Sequence, residues 1–277
     1  MISVCTLVRG RTAQLANLLW GIAAQTRKPD ELVIAYMQPQ APAGLPDPGV
    51  PVREVFVPGD PMPLAEARNA AAATARGERL IFLDVDCVPS PTLVERYDQA
   101  LDTAPGVYLG EVRYLPPGPF DPAKGVRHPA KPALSDDETR PVPSHGELWG
   151  LSFALPRSAW DAAGGMDTGY VGYGGEETDF AWRLAAAGIP MAWVGGAVAF
   201  HQHHPVHIPP LHQFDAILRN ATRFRARWGR WCMDYWLGQF AQAGLIRWSA
   251  DSDTIDRLRA PTLAEIAASR REDALFS

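Results

Sequence analysis

Two aspartates separated by one residue end an apolar run in the sequence FLDVDCVP. Side chains alternate along an extended chain, so Asp84 and Asp86 are predicted to point to the same side. A hard divalent cation takes oxygen ligands and keeps positions open for phosphate oxygens, which suits this pair to a complex of metal and diphosphate. Acidic residues also commonly end strands, and the spacing alone does not decide between the two interpretations.

An arginine lies shortly before these aspartates, in the alanine-rich helical sequence LAEARNAAAATAR. A guanidinium group matches carboxylates and phosphates bidentately, so Arg68 is predicted to pair with Asp84 or with a diphosphate. The alternative is a solvated arginine on the surface of the helix.

Three acidic residues follow a pair of glycines in the sequence GYGGEETDFAWR. Glycines allow close backbone approach, and a carboxylate that aromatic neighbours partly desolvate has a raised pKa, which suits a general base. We predict that Glu177 is the base for an acceptor hydroxyl, and that Glu176 and Asp179 bind acceptor hydroxyls or hold the loop. Acidic residues also stabilise the first turn of any helix, which is the plain structural alternative.

A histidine-rich stretch, AFHQHHPVH, begins at the end of the last predicted strand. His201 ends that strand and, together with Asp86, would form a mixed oxygen and nitrogen site suited to manganese. His203, His204 and His207 are further candidates that the sequence does not separate. A zinc site is the alternative, although neither a cysteine pair nor an HExxH pattern accompanies the histidines.

Alternating strand and helix patterns must position these residues. The apolar runs SVCTLV, ELVIAYM, VREVFV and RLIFLDV alternate with helical segments, which predicts an α/β fold with a mostly parallel, twisted sheet flanked by helices. Ligands bind such sheets beyond the carboxyl ends of the strands, where Arg9, the segment after Met37 and Asp84 emerge. We therefore expect these loops to meet in one crevice.

Two segments depart from that pattern. Residues 116–143 are rich in proline and lack sustained periodicity, so they are predicted to form a long loop, either a functional flap over the crevice or a solvated insertion. Residues 206–277 carry helical periodicity with several arginines and tryptophans, which predicts a packed helical appendage to a main domain of residues 1–205. Peripheral contact with an anionic membrane surface is the less favoured alternative.

The composition narrows the class of partners. With 26 basic and 31 acidic residues among 277, the formal net charge is -5, which disfavours a broad nucleic-acid-binding face. The three cysteines form neither a CxxC pair nor a disulfide framework, and the N-terminal apolar run is too short to span a bilayer. We therefore expect a cytoplasmic protein, with a homodimer and peripheral membrane contact left open.

Taken together, the motifs resemble the family 2 glycosyltransferases and, in the second half, a galactosyltransferase-like C-terminal module. SVCTLVRGRTAQLANLLWGIAAQT resembles the opening strand and helix of the family, and AEARNAAAATARGERLIFLDVDCVP its nucleotide-site helix and DxD strand. GGMDTGYVGYGGEETDFAWRLAAAGI resembles the segment with the acceptor-side acidic motif. The resemblance covers residues 2–201 apart from the flap and implies the GT-A fold.

The resemblance also implies a role for each residue of the site. The residues assigned to the nucleotide-sugar donor are Arg9, Gln38, Arg68, Asp84 and Val85. Those assigned to the acceptor are Glu176, Asp179 and Trp149. Asp86 and His201 become ligands of Mn²⁺ (or Mg²⁺), and Glu177, which matches the second acidic residue of the related GGED motif, becomes the base.

The implied reaction is metal-dependent transfer of a hexose, with inversion, from a nucleotide-diphosphate sugar to the hydroxyl of a saccharide, a lipid-linked acceptor or a small molecule. Gln38 stands where the family commonly has an acidic residue that reads the base, and a UDP-sugar is favoured over a GDP-sugar. One alternative is a nucleotidyltransferase, which would more naturally carry a glycine-rich phosphate loop with a lysine near the N-terminus. The other is a non-catalytic carbohydrate-binding protein on the same fold.

Overall fold

The strands of the first half lie where the apolar runs predicted them. The structure is a computed structural model that describes residues 1–276. The strands are β1 Ile2–Val8, β2 Glu31–Tyr36, β3 Val52–Phe56, β4 Arg79–Leu83, β5 Cys87–Pro89, β6 Val107–Tyr114, β7 Val126–Arg127, β8 Thr139–Pro141, β9 Ser152–Pro156, β10 Met191–His201, β11 Val206–His207, β12 Ile246–Arg247, β13 Asp256–Arg257 and β14 Arg270–Arg271. The α-helices are α1 Thr12–Ala23, α2 Leu64–Thr74, α3 Leu93–Thr103, α4 Arg157–Ala162, α5 Glu176–Ala186, α6 Phe214–Trp228, α7 Asp234–Gln242 and α8 Leu263–Ser269.

One large sheet has the strand order β3-β2-β1-β4-β9-β6-β10-β5. The first four of these strands are mutually parallel and β6 is parallel to β10, whereas β9 and β5 run antiparallel to their neighbours. β1 and β2 are buried along their whole length, as expected for parallel strands with helices on both faces. The predicted α/β fold with a mostly parallel sheet flanked by helices is confirmed.

A hydrophobic core lies on each face of this sheet. On one face, α2, α4 and α5 bury side chains such as Ala71, Trp160 and Phe180. On the other face, α1 and α3 bury side chains such as Leu18 and Tyr97. The small alanine side chains of α2 let that helix pack closely on the sheet, which brings Arg68 near the ends of the strands.

The aspartate pair does not lie on an extended strand, and this part of the prediction is wrong. β4 ends before Asp84, and a turn closed by a hydrogen bond from the Cys87 N–H to the Asp84 carbonyl (2.8 Å) carries both aspartates. A turn breaks the alternation that the prediction assumed, so the carboxylates of Asp84 and Asp86 meet different partners.

The apolar runs MAWVG and AVAFH predict a pair of strands at residues 191–201, and this prediction is also wrong, because β10 is a single strand. Its pairing with β6 shifts register between Val194 and Val198, where Gly196 takes φ 76°. Glycine adopts this left-handed conformation without steric cost, so the strand continues through an irregularity that the sequence suggested was a break.

The proline-rich segment 116–143 is tied to the sheet at two places. β7 pairs with β6, where Arg127 lies opposite Arg113, and β8 pairs with β10, where Arg140 lies opposite Trp193. These strands are two and three residues long, which is too short for a sequence pattern to reveal.

The C-terminal helices pack through a third hydrophobic cluster. α6 and α7 bury Phe214, Ile217 and Phe240 there. The tryptophans that pack against this cluster are Trp182, Trp228, Trp231, Trp236 and Trp248. The helical run that the sequence predicted is interrupted at Gly229, which takes φ 67° and ends α6.

Arginines of α6 form ion pairs within the molecule. Arg223 and Arg227 lie 2.8 Å and 2.9 Å from Asp167, and Arg225 lies 2.8 Å from Asp253. No helix within residues 1–276 is long and apolar enough to cross a membrane. The domain boundary after residue 205 stays a prediction.

Candidate active site

The candidate metal ligands come together at one end of the sheet. β5 pairs with β10 so that His201 lies opposite Cys87, the residue that follows Asp86. His201 Nε2 lies 3.6 Å from Asp86 Oδ1, and His204 Nε2 lies 3.4 Å from Asp86 Oδ2. The ligand atoms of these three residues all lie within 4.8 Å of one another. One carboxylate and two imidazoles fit a divalent cation, and the two nitrogens favour Mn²⁺ over Mg²⁺, which prefers oxygen ligands.

The structure distinguishes among the histidines that the sequence left open. His204 joins Asp86 and His201, whereas His207 donates or accepts a hydrogen bond with Ser269 Oγ at 2.8 Å. The Nε2 atom of His203 is buried without a hydrogen-bond partner among residues 1–276. The sequence could not make this distinction, because the path of the chain after β10 decides which imidazole turns towards Asp86.

The protonation states around Asp86 suit metal binding. Burial opposes ionisation of Asp86, but contacts with His201, His204 and Arg11 outweigh it and hold the pKa of this carboxyl well below its ordinary value. Burial lowers the pKa of His201, although Asp86 works in the opposite direction. An ionised carboxylate and a neutral imidazole are the forms that bind a metal ion.

Arg11 belongs to this site and was missed in the sequence. It precedes α1 with φ 51°, an uncommon conformation for a residue with a side chain, and its Nη1 forms an ion pair with Asp86 Oδ2. The signal was present in the sequence RGR, since Arg11 leaves the same strand end as the predicted Arg9. Its guanidinium neutralises the oxygen that a metal cation would bind.

Arg68 joins the two acidic motifs. Its Nη2 lies 3.2 Å from Asp84 Oδ1 and its Nη1 lies 3.1 Å from Glu176 Oε1, with only 4% of the residue exposed. The sequence predicted either Asp84 or a diphosphate as the partner of Arg68, and the structure shows the contact with Asp84. Burial raises the pKa of Asp84 to about 6, although Arg68 opposes that rise. A buried ion-pair network of this kind fixes the turn after β4 relative to the start of α5.

Among the acidic residues of GYGGEETDFAWR, Glu177 is the one that forms no ion pair within residues 1–276. It lies in the first turn of α5, directly after Gly174 (φ 86°) and Gly175 (φ 92°), and its Oε2 has no hydrogen-bond partner within the described chain. Burial and the charge of Glu176 raise its pKa well above the ordinary value, while Arg68 opposes them. A carboxylate with a raised pKa and an unpaired oxygen is a stronger proton acceptor than an ordinary glutamate.

The other two acidic residues of this motif are enclosed. Asp179 has no exposed surface and accepts hydrogen bonds from Arg183 Nε at 2.8 Å and Trp228 Nε1 at 2.9 Å. Glu176 is 2% exposed and pairs with Arg68. Their burial favours the second predicted role, which is holding the loop, over direct contact with an acceptor.

Trp149 lines a cavity together with residues of the segment 116–143. Its residue is 37% exposed, and Lys131 Nζ lies 3.5 Å from the centroid of its ring. The cavity has a volume of about 50 Å³, and its lining includes Lys131, Trp149, Gly150 and Trp193. A side chain at Gly150 would begin 3.2 Å from Arg68 Nη2 and 3.7 Å from Glu177 Oε1, so this part of the cavity wall lies next to both side chains. The acceptor role of Trp149 stays a prediction.

The residues predicted to contact the nucleotide lie at the ends of β1, β2 and β4. Arg9 is exposed, and its Nη1 donates to the Gly59 carbonyl at 2.9 Å. Gln38 Oε1 accepts a hydrogen bond from the Gly10 N–H at 2.7 Å, so its amide holds the turn after β1. The side chain of Val85 is buried in the core on the α1 side. The structure therefore brings these residues to one edge of the sheet, as predicted for the crevice.

Two family models match the chain across this site. A model described as glycosyl transferase family 2 matches residues 61–146, which include Arg68 and both aspartates. A model described as the N-terminal domain of galactosyltransferase matches residues 135–207, which include Glu177 and His201.

Similar proteins include two described as validoxylamine A glucosyltransferase. The one from Streptomyces hygroscopicus subsp. limoneus is 27% identical over 222 residues, which is 69% of this chain and 49% of that protein. The one from Streptomyces hygroscopicus subsp. jinggangensis (strain 5008) is 31% identical over 153 residues, which is 46% of this chain and 36% of that protein. The chain thus spans at most about half the length of these curated relatives.

Solved structures with a similar fold include those of GalNAc-T7 and TarS. GalNAc-T7 with UDP, GalNAc and Mn²⁺ superposes with a TM-score of 0.57 at 16% identity, over 74% of this chain and 43% of that one. Staphylococcus aureus TarS 1–349 in complex with UDP-GlcNAc superposes with a TM-score of 0.56 at 12% identity, over 81% of this chain and 66% of that one. At such low identity these likenesses show the fold alone.

The predicted GT-A fold is confirmed by the similar solved structures. The predicted resemblance to the family 2 glycosyltransferases, with a second half similar to a galactosyltransferase domain, is confirmed by the matched segments and by the similar glucosyltransferases.

Proposed function

We propose that this protein transfers a hexose, with inversion and with the help of a divalent metal, from a UDP-sugar to the hydroxyl of an acceptor. The observation that carries the proposal is the arrangement on either side of Arg68. On one side, Asp86 stays ionised beside two imidazoles, and on the other side the unpaired Glu177 has a raised pKa. A cation site for a diphosphate and a base for a hydroxyl therefore lie in one crevice.

Each side chain has a definite task in this reaction. Asp86, His201 and His204 would hold the metal ion, which when bound supplies positive charge to the diphosphate leaving group. Glu177 takes the proton of the acceptor hydroxyl as the hydroxyl oxygen bonds to the anomeric carbon. The bond from that carbon to the diphosphate oxygen breaks on the opposite face, so UDP leaves and the configuration inverts.

The choice of donor and acceptor rests on the similar proteins. One similar structure contains UDP and GalNAc and another contains UDP-GlcNAc, which supports a uridine diphosphate donor. The curated relatives are described as glucosyltransferases of validoxylamine A, so UDP-glucose and a polyhydroxylated small molecule are the first substrates to test.

A donor panel tests the proposal directly. The protein is incubated with UDP-glucose, UDP-galactose, UDP-GlcNAc, UDP-GalNAc or GDP-mannose, with Mn²⁺, Mg²⁺ or EDTA, and with validoxylamine A or simple saccharides as acceptor. We expect UDP release that requires Mn²⁺ and acceptor, and NMR of the product should show the anomeric configuration opposite to that of the donor.

Other results would contradict particular parts of the proposal. Pyrophosphate release would indicate a nucleotidyltransferase, and saturable sugar binding without UDP release would indicate a carbohydrate-binding protein. Full turnover in EDTA would contradict the requirement for a divalent metal. A product with the same anomeric configuration as the donor would contradict the single-displacement mechanism.

A further inference from the structure

An asparagine in the C-terminal helices holds the loop that precedes the candidate base. Asn220, on α6, has no exposed surface, and its Nδ2 lies within hydrogen-bond distance of three carbonyl oxygens in one loop. The distances are 2.8 Å to Gly174, 3.2 Å to Tyr173 and 3.3 Å to Val171. The amide nitrogen has two hydrogens, so these three carbonyls share them.

This loop has little other support from its own backbone. Residues 171–175 belong to neither a helix nor a strand, and Gly172, Gly174 and Gly175 all have positive φ angles. Glycine is the residue type with the most backbone freedom, so a loop of this composition needs outside contacts to keep one conformation. Asn220 supplies three such contacts from a helix more than forty residues further along the chain, in addition to the hydrogen bonds of Arg219 Nη2 to the Val171 carbonyl and of the Gly172 N–H to the Met62 carbonyl.

The C-terminal helices also enclose the loop sterically. A side chain at Gly174 would begin 2.5 Å from Met233 Sδ, and one at Gly172 would begin 3.1 Å from Ala216 Cβ. Tyr173 packs on Trp236 with ring centroids 5.6 Å apart. The loop therefore packs so closely that a side chain at either glycine would require Met233 or Ala216 to shift.

The loop leads directly into the first turn of α5, which carries Glu177. We propose that Asn220 is a positioning residue that fixes residues 171–175 and thereby places the Glu177 carboxylate for proton transfer. This inference rests on the proposed function, since it gives the helical C-terminal region a part in catalysis. A small displacement of a catalytic group costs about 10²-fold in rate, so a residue that never touches substrate can control turnover.

An uncharged donor is the chemistry this position requires. The Oδ1 atom of Asn220 is buried without a hydrogen-bond partner among the described residues, so only the donor end of the amide is used. An aspartate would direct negative charge at three carbonyl oxygens, and a leucine would remove this donor from all three, while the Val171 carbonyl would keep its hydrogen bond from Arg219 Nη2.

The test compares Asn220→Ala with Asn220→Ser and with a matched control, Gln25→Ala. Gln25 is also buried and its amide also makes three hydrogen bonds to the backbone, to Gly21 and Ser90 carbonyls and from the Val94 N–H, but these lie away from the loop. Each variant is checked for folding by circular dichroism and thermal melting. Steady-state kinetics are measured with the donor and acceptor found active, and hydrogen exchange is followed in peptides that cover residues 169–178.

We expect Asn220→Ala to lose about 10- to 100-fold in kcat with a nearly unchanged KM for the donor, and Asn220→Ser to recover part of the loss because its hydroxyl keeps one donor. Amide exchange in residues 169–178 should be faster in Asn220→Ala and unchanged in Gln25→Ala. Equal kcat losses in Asn220→Ala and Gln25→Ala, or unchanged loop exchange in Asn220→Ala, would overturn the inference. A wild-type protein without turnover would instead contradict the proposed function, while the exchange data would still decide whether Asn220 holds the loop.

Discussion

The turn after β4 presents two carboxylates and the first turn of α5 presents three, and the two turns surround them with opposite environments. In the turn after β4, Asp86 lies among Arg11 and two imidazoles, which hold its pKa well below the ordinary value. In the first turn of α5, Glu177 has an acidic neighbour and an unpaired oxygen, and its pKa is raised. The first environment keeps a charge for binding a cation, and the second lets a carboxylate gain a proton. The surroundings, rather than the residue type, therefore assign the two roles.

Arg68 separates these environments while it joins them mechanically. Arg68 pairs with Asp84 in the turn after β4 and with Glu176 in the first turn of α5. Neither of these two carboxylates is the proposed metal ligand or the proposed base. Because Arg68 neutralises those two carboxylates, Asp86 and Glu177 are left to respond to their own surroundings. The comparison predicts that variants on the two sides fail in different ways.

The largest effect is expected for Asp86→Ala, which removes the carboxylate of the metal group. Turnover that depends on Mn²⁺ should fall by about 10³-fold or more, since a metal at a leaving diphosphate contributes several kcal/mol to the transition state. Mn²⁺ binding, measured by electron paramagnetic resonance, should weaken in parallel. Asp102→Ala, which removes an exposed aspartate paired with Arg79, is the control and should keep full activity. Normal Mn²⁺-dependent activity in the Asp86 variant would show that this turn does not bind the metal ion.

The next largest effect is expected for Glu177→Gln, which keeps the shape of the side chain but removes its ability to take a proton. We expect kcat to fall by about 10²- to 10³-fold with little change in the affinity for UDP and Mn²⁺, measured by calorimetry. Glu95→Gln is the matched control, because Glu95 also lies in the first turn of a helix. Loss of UDP binding in the Glu177 variant would place this residue on the donor side instead.

A smaller effect of opposite sign is expected for Arg11→Gln. The Arg11 guanidinium neutralises Asp86, so its removal should tighten Mn²⁺ binding in the absence of nucleotide by about threefold to tenfold. Titration of free Mn²⁺ by electron paramagnetic resonance measures this change, with Arg27→Gln, which loses an ion pair with Asp98, as the control. Weaker Mn²⁺ binding would show that Arg11 supports the metal group rather than competing with a cation.

Most of the sheet could be predicted from the sequence, because strands such as β1 and β2 are long, apolar and bounded by clear helices. The candidate residues that follow those strands could be predicted too, since parallel strands end at one edge. The single strand β10 and the turn at Asp84 could not, because a glycine irregularity and a tight turn leave no periodic signal. Local sequence also cannot show which of several histidines turns towards Asp86.

The contribution of the C-terminal region was the least predictable part of the site. Helical periodicity predicted helices there, but not that Asn220 would contact a loop more than forty residues earlier in the chain. Long-range hydrogen bonds from a buried side chain depend on tertiary packing, which a single sequence does not display. Arg11 was a different kind of omission, because the sequence RGR offered a signal beside the predicted Arg9.

The smallest expected effect concerns pH and tests the α5 side of the comparison by itself. The raised pKa of Glu177 means that the base is protonated at pH values where an ordinary glutamate is ionised, so kcat should fall as pH is lowered through that raised value.

Two charged groups act on the Glu177 carboxyl: Glu176 raises its pKa and Arg68 lowers it. Tyr173 is also near this carboxyl but stays protonated, because burial and the charge of Glu177 raise the pKa of the Tyr173 hydroxyl. Glu176→Gln removes the charge that raises the Glu177 pKa and leaves Arg68 with one carboxylate fewer to neutralise, and both changes act in the same direction. The acid limb of the kcat profile should therefore move to lower pH, while the plateau stays within about threefold of the wild type. An acid limb that stays in place or moves to higher pH would show that the titrating group is not Glu177, and Asp84, whose pKa burial raises to about 6, would be the next candidate.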